Sequence, residues 1–281
     1  MVAVVAVDEC NLFVAAGPTI WLVSRGTAEQ AWTVPTGYDT AAIAYVDGRL
    51  WWAGDGTSGS RVLTVDPVTG TTRDVALGDG AAEVVALWTW GDRLLVGMTV
   101  DNAHSSVASV NGARLERLLE RPGRITGLAG DDTTLAATFS TQDATTLVWG
   151  RPQALHEHTW PGPANVIDLA ISGPNIAFGL SRLNSEQIPQ GSEIPTSRDQ
   201  GRHWSTLDLG NDELASLAFA GSQLWLSKSG RTGVSVYTAA ANGRLKHVGA
   251  AGSSDQPLRL LPTTGGVWVV GSDVAFLSGQ R

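Results

Sequence analysis

The sequence predicts an all-β fold, a seven-bladed β-propeller, and three observations predict it. Seven segments share a turn followed by an apolar residue that opens a short strand. Their anchors are Leu12, Leu50, Leu94, Leu135, Ile176, Leu224 and Val267, so the steps are 38, 44, 41, 41, 48 and 43 residues. A blade of four short strands and tight turns uses about 40–50 residues. Finally, no long window keeps apolar side chains at helical spacing between breakers, and glycine numbers 33.

The first repeat opens at Val2 with what reads as an innermost strand, followed by the anchor strand at Asn11–Val14. Later anchors follow apolar stretches of the same kind, at Ala41–Val46, Val84–Trp90, Val166–Ser172 and Leu214–Ala220. Gly, Asn and Asp stand at the breaks, where hairpins need residues that accept positive φ. Ala113–Arg121 is the nearest approach to a helix, but its place after a third strand fits an outer blade strand better. The last repeat supplies only Leu258–Pro262, Val267–Val270 and Val274–Leu277, so the seventh blade is expected to have three strands. Six blades plus a terminal hairpin is the weaker reading. An open blade leaves an unpaired edge, which is either a docking place for a partner strand or a harmless short edge. Blades bury their faces against neighbours, so residues 1–281 are expected to form one radial domain.

Composition narrows the function classes. The net charge of −8 argues against nucleic acid and acidic membrane surfaces as partners, and no Lys/Arg run offsets it. No apolar stretch approaches the roughly 20 residues that span a bilayer. Met1–Val7 reads as a strand and not as a secretion signal, so synthesis in the cytoplasm is expected. The eleven Trp are expected to fill the layers between blades. Cys10 stands alone, which leaves no disulfide framework and no metal cluster; it is expected to be a small buried side chain. No cofactor is expected, because the chain has neither a nucleophile elbow nor a phosphate-binding or Ca²⁺-binding loop. His156-Glu157-His158 puts two imidazoles on one face of a strand, which is read as an exposed outer strand rather than a metal site. Gly54-Asp55-Gly56 and Gly78-Asp79-Gly80 read as turns.

One repeat carries Ser197-Arg198-Asp199-Gln200-Gly201-Arg202-His203-Trp204. Ser197, Asp199, Gly201 and Trp204 match the pattern Ser/Thr-x-Asp-x-Gly-x-x-Trp, and the chain thereby resembles the Asp-box (BNR repeat) β-propellers, whose best-known members are sialidases. The resemblance covers one blade by motif and the rest by period. It implies a hairpin between the third and fourth strands, at Glu193–Arg198 and His203–Leu209. In it Asp199 would accept backbone N–H groups, Gly201 would take positive φ and Trp204 would pack under the blade. Weaker fragments recur at Val23-Ser24-Arg25-Gly26 with Trp32, and at Val65-Asp66-Pro67-Val68-Thr69-Gly70. Sialidases of that family also use three Arg, a Tyr–Glu pair and an Asp acid, with an Arg-Ile-Pro signature that is missing from this sequence. Tyr38, Tyr45 and Tyr237 are the only phenols, with Tyr45 placed on an inner strand and Tyr237 on a third strand. The resemblance therefore implies a structural role for the octapeptide, and no catalytic residue is assigned.

In a propeller the loops joining second to third strands, and blade to blade, gather on one face, where function usually sits. Ala53–Arg61 reads as a flexible Gly/Ser-rich loop, and Arg182–Glu193 as a longer insertion that explains the 48-residue step. The candidate binding residues are Asp55, Arg61, Asp101, Asn102, His104, Arg182, Asn184, Glu186 and Gln187. The expected function is a non-catalytic interaction propeller that presents loops to a protein or glycan partner, as part of a phage tail or similar particle assembled in the cell. The alternatives are a carbohydrate-binding or glycoside-cleaving propeller using Asp55, Asp101 or Asp143, and an intracellular scaffold.

Overall fold

The computed structural model describes residues 3–24, 27–77, 83–101, 103–162, 164–183, 189–230, 233–240, 242–250, 258–271 and 274–278. Among these residues there is no helix, hence none long and apolar enough to cross a membrane. Twenty-seven strands form seven antiparallel sheets, which together are a seven-bladed β-propeller. Blade one is β1 (Ala3–Ala6), β2 (Asn11–Ala16), β3 (Thr19–Ser24) and β4 (Thr27–Thr33). Blade two is β5 (Tyr38–Val46), β6 (Arg49–Gly56), β7 (Gly59–Val65) and β8 (Thr72–Val75). Blade three is β9 (Glu83–Trp90), β10 (Arg93–Thr99), β11 (His104–Asn111) and β12 (Arg114–Pro122). Blade four is β13 (Arg124–Gly130), β14 (Leu135–Ser140), β15 (Ala144–Arg151) and β16 (Ala154–Pro161). Blade five is β17 (Ala164–Ser172), β18 (Asn175–Leu183), β19 (Pro189–Ser197) and β20 (Ser205–Asp208). Blade six is β21 (Glu213–Ala220), β22 (Gln223–Gly230), β23 (Gly233–Ala239) and β24 (Leu245–Ala250). Blade seven has three strands, β25 (Arg259–Pro262), β26 (Gly266–Val270) and β27 (Val274–Ser278).

The chain divides into two compact units, Met1–Thr141 with Trp149–His156, and Gln142–Val148 with Glu157–Arg281. The first holds blades one to three with β13 and β14; the second holds blades five to seven. In each, the core is made where one sheet packs on the next. Phe13 and Ile20 meet Ile43, Trp52 and Leu63, and Ala53 and Val62 meet Val84, Leu94 and Met98. In the second unit Ile194 and Leu209 meet Leu214, Phe219 and Leu226, and Trp225 and Val236 meet Leu258, Leu260 and Val267. All seven anchors lie near the start of a second strand and are at most 2% exposed. A short apolar strand after a tight turn is buried because its sheet is covered on both faces.

A further regularity sits on the first strands of blades two to six. Each has a bulge at the same place, with Ala41, Val85, Thr126, Ile167 and Ala215 as the inserted residues. A bulge adds local twist, and inner strands of neighbouring sheets come close together. The pairs that follow the bulges are accordingly small: Ala42 with Ala53, Ala86 with Gly97, Gly127 with Thr138, and Ser216 with Ser227. Blade five is the exception, with Asp168 opposite Gly179.

Four expectations need correcting. Ala53–Arg61 is no loop: β6 runs to Gly56 and β7 starts at Gly59, with Asp55 paired to Ser60. Gly54-Asp55-Gly56 is thus strand and not turn. A Cβ on Gly54 would strike the Trp52 ring, and one on Gly56 would strike the Gly37 carbonyl, so these glycines serve close approach. Most of the ends of Arg182–Glu193 are also strand, with Leu183 paired to Pro189. Cys10 is an exposed free thiol, because it sits in the β1–β2 turn with its N–H held by Asp8 Oδ1 at 2.6 Å. Of the eleven Trp, only Trp52, Trp149, Trp225 and Trp268 are buried. Six others are half-buried and Trp21 is exposed; of the half-buried ones, Trp32 and Trp51 pack against the cores between blades and Trp88 donates to the Gly130 carbonyl of the next blade at 3.1 Å.

Candidate functional site

Strand alternation puts the β6–β7 and β10–β11 hairpins at the same end of the first unit as the starts of β9 and β13. Four candidate residues from the sequence fall here. Arg61 makes a two-toothed bond to Asp74, with Nη2 at 2.8 Å from each carboxylate oxygen. Its guanidinium also lies 5.5 Å from the Tyr38 ring centroid, while the Tyr38 hydroxyl meets Ser58 Oγ at 2.7 Å. The Asp74 carboxylate raises the Arg61 pKa further above its ordinary value. Asp101 accepts the N–H groups of Ala103 and His104, each at 2.7 Å, and the His104 ring approaches it at 3.3 Å. The Ala103 and His104 N–H groups hold the Asp101 carboxyl below the usual range. Arg124 and Glu83 add a pair at 3.3 Å across blades three and four. The structure therefore joins two of the candidates, Asp101 and His104, to each other, and gives Arg61 a partner of its own in Asp74.

Asp55 has a different job. It accepts the Ser60 hydroxyl, and Ser60 Oγ in turn accepts the Val84 N–H of the next blade at 3.3 Å. In the second unit Arg182 pairs with Glu193 on the adjoining strand, which raises the Arg182 pKa. Asn102, Asn184, Glu186 and Gln187 lie outside the described residues, as do Gly78-Asp79-Gly80 and Arg25-Gly26.

The Ser197–Trp204 octapeptide forms the hairpin between β19 and β20. Ser197 Oγ donates to Asp199 Oδ1 at 2.9 Å and accepts the Gly201 N–H at 2.8 Å. Asp199 Oδ1 accepts the His203 N–H at 2.9 Å, and Oδ2 lies 2.6 Å from His203 Nδ1. These bonds, the His203 N–H first, lower the Asp199 pKa to about 2. Gln200 and Gly201 take φ of +60° and +80°, the left-handed region that a tight reversal needs. Trp204 packs edge-on against Trp160 of β16 at 5.3 Å and near Phe178 at 6.1 Å. His156 and His158 are both exposed on β16, where their rings lie near Trp149 and Trp160 respectively. Among the described residues no group of His, Cys, Asp or Glu has the spacing of a metal site. The Val65–Gly70 turn closes on Asp66, which accepts the N–H groups of Val68 and Thr69 at 2.9 and 3.0 Å. Tyr45 lies on first strand β5 and Tyr237 on third strand β23.

Sequence reasoning missed the bonds between blades. Beside Ser60, Ser105 Oγ accepts the Ile125 N–H at 2.9 Å, and Ser192 Oγ accepts the Leu214 N–H at 3.0 Å. Val84, Ile125 and Leu214 each immediately precede a bulge, where the ladder is interrupted and an N–H needs another acceptor. Blade five adds Asp168. Its Oδ2 accepts the Ser216 hydroxyl at 2.6 Å and the Leu217 N–H at 3.0 Å, and Oδ1 accepts its neighbour Leu169 at 2.9 Å. Ser216 Oγ then accepts the Leu260 N–H at 3.1 Å, so one chain of bonds crosses blades five, six and seven. Desolvation pushes the Asp168 carboxyl up, against the lowering effect of Ser216, Arg259 and the two N–H groups. The signal available was faint: a hydroxyl residue two before an apolar one near the start of a third strand, as in Ser60-Arg61-Val62 and Ser192-Glu193-Ile194.

The fold is shared with well-separated proteins. A chain of a mitotic checkpoint complex superposes with a TM-score of 0.71 at 14% identity, over 98% of this chain and 86% of that one. A chain from the complex of KlAtg21 with the coiled coil of AgAtg16 gives 0.70 at 11% identity, over 99% and 94%. Virginiamycin B lyase from Staphylococcus aureus gives 0.69 at 12% identity, over 99% and 94%. At such identities the likeness shows the fold alone. No protein-family model and no curated protein matches the chain.

Proposed function

We propose that this chain is a non-catalytic interaction propeller of the Asp-box type, which offers the charged hairpin rim of blades two to four to a protein partner. The observation that carries this reading is the set of pre-paired exposed charges at one end of the first unit. Arg61 and Asp74 are 37% and 63% exposed, and Arg124 and Glu83 are 66% and 52% exposed. Exposed pairs of this kind contribute about 0–1 kcal/mol to stability. Their value lies elsewhere: side chains held by neighbours lose little freedom when a partner binds. Two of the fold's relatives are chains from protein complexes, which accords with a protein partner. The Ser197–Trp204 hairpin, with its carboxylate bonded within its own turn, serves as a structural clasp in this reading.

The finer part of the proposal is that the partner belongs to a particle such as a phage tail or injection device. Gradient sedimentation of native lysate, with mass spectrometry of the fractions, tests it. Co-sedimentation with particle proteins is expected; migration as a free chain overturns it and turns the question to a glycan array. The rim itself is tested by the double substitution Arg61→Glu with Arg124→Glu. Loss of co-sedimentation with an almost unchanged melt is expected, and retained co-sedimentation overturns the rim assignment.

A further inference from the structure

Asn-Gly occurs twice in the sequence, each time between a third and a fourth strand. Asn111-Gly112 joins β11 to β12, and Asn242-Gly243 lies between β23 and β24. Both asparagines are exposed, and Gly112 and Gly243 take φ of +63° and +78°. Such turns are favoured because glycine accepts the left-handed region that the twist of the strands demands. The dipeptide also has a chemistry of its own. Glycine has no Cβ to shield its backbone nitrogen, so that nitrogen can reach the side-chain carbonyl carbon of the asparagine before it. Whether it does so depends on what holds the two groups.

The two hairpins hold them differently. The Gly243 N–H donates to the Ala240 carbonyl at 3.0 Å, and Asn242 Oδ1 accepts the Arg244 N–H at 3.1 Å. Nucleophile and electrophile are thus both engaged. At Asn111-Gly112 neither bond has a counterpart among the described residues. Asn111 is paired with Arg114, which leaves Gly112 and Ala113 as a two-residue loop. In such a loop the ladder bonds run between the flanking residues, so the Gly112 N–H is left to water. The loop also has a structural duty. The Ala113 carbonyl accepts the Ala76 N–H at 3.1 Å, and Ala76 forms a parallel bridge with Arg114. Ala76 follows β8, so this contact ties the outer part of blade two to the outermost strand of blade three. Leu77 and Leu115 beside it pack on the core between these blades.

We propose that Asn111-Gly112 is a site of spontaneous deamidation whose isoaspartate product releases the outer joint between blades two and three. The Gly112 nitrogen bonds to Asn111 Cγ, the bond from Cγ to Nδ2 breaks, and ammonia leaves with the proton of the Gly112 N–H. Water then opens the cyclic imide at either carbonyl carbon. Opening at Cγ leaves aspartate on an unchanged backbone. Opening at the backbone carbon leaves isoaspartate, whose main chain runs through Cβ and Cγ. The additional main-chain carbon displaces Gly112 and Ala113 from the Asn111–Arg114 pair, and the Ala113 carbonyl moves away from Ala76 with them. Each conversion also adds a negative charge to a chain whose net charge is already −8. The hairpin lies at the opposite end of β11 from His104, and the inference does not rest on the rim reading.

The test ages the full chain in mildly alkaline buffer and follows both asparagines by peptide mapping after acidic digestion, which halts the reaction. Asn111 is expected to convert several-fold faster than Asn242. In chain unfolded by guanidinium the two should convert at similar rates, because only the folded hairpins distinguish them. Isoaspartyl methyltransferase with a labelled methyl donor should label the Asn111 peptide of the aged chain. Amide exchange at Ala76 should become several-fold faster on ageing, and should stay constant in an Asn111→Gln chain aged alongside. Conversion at Asn111 that is absent, or no faster than at Asn242 in the folded chain, overturns the site. Aspartate as the sole product, which the methyltransferase leaves unlabelled, overturns the backbone rearrangement. Isoaspartate at Asn111 with unchanged exchange at Ala76 overturns the release of the joint.

Discussion

Blade five holds two carboxylates at its two ends, and they obey opposite rules. Asp199 sits in the outer hairpin, where the N–H and side chain of His203 and the Ser197 hydroxyl lower its pKa to about 2. Its partners lie two to four residues away, and water reaches it. Asp168 sits on the inner strand, where desolvation raises its pKa. Its partners Ser216 and Leu217 are 48 and 49 residues away, on the next blade. The outer carboxylate closes a turn through bonds to Ser197 and His203 of the same hairpin; the inner one joins strands that are far apart in the chain. Stability is therefore expected to be concentrated at the inner end, although the recognisable motif is at the outer end.

The largest effect should follow Asp168→Ala. It leaves the Ser216 hydroxyl and the Leu217 N–H without their acceptor, and Ser216 is fully buried. Orphaned buried donors cost about 1–3 kcal/mol each, so a loss of about 2–4 kcal/mol is expected, which is several degrees of Tm in a thermal melt. Amide exchange at Leu217 should rise with it. An unchanged melt would mean that water takes over both donors, and the contrast between the two ends would collapse.

Next comes Gly179→Ala, directly opposite Asp168 in the β17–β18 pairing. Its φ is ordinary, so conformation is not the obstacle; the new Cβ would run into the Leu214 side chain. Leu214 is the residue whose N–H is held by Ser192 Oγ just before the bulge of β21. Overpacking of this kind costs about 1–3 kcal/mol. Denaturant unfolding of the variant measures it. A neutral result would show that the seam between blades five and six yields by side-chain movement alone.

What was legible in the sequence divides along the same line. The seven anchors could be found because each obeys a local rule, a turn followed by an apolar strand, repeated at a steady step. Ser197–Trp204 was legible because its bonds close within eight residues. The inner seam was not, because nothing near Asp168 in sequence announces Ser216 or Leu260. Gly54 and Gly56 misled for a related reason. Glycine reads as a turn, yet here it makes space for the Trp52 ring and the Gly37 carbonyl, and only packing reveals that. Cys10 misled in the opposite direction, since its small apolar side chain suggests burial while the Asp8 turn holds it at the surface.

The smallest effect, and the one that separates the two carboxylates most sharply, is in the pH dependence. Asp199 has a lowered folded-state pKa, so it favours the folded state above its ordinary value of 3.8 and loses that contribution as pH falls through about 2. Asp168 has a raised one, so its contribution is complete below 3.8 and is lost as pH rises through its folded-state pKa. Asp199→Asn should therefore melt slightly below the parent at neutral pH, with the gap closing as the solution is acidified from about 4 to 2. Asp168→Asn should instead remove a fall in stability that begins above pH 3.8 in the parent. Melts of the parent and the two variants across this range measure both slopes. If the Asp199→Asn gap stays constant with pH, the hairpin carboxylate acts by turn geometry alone, and its charge contributes nothing to the clasp.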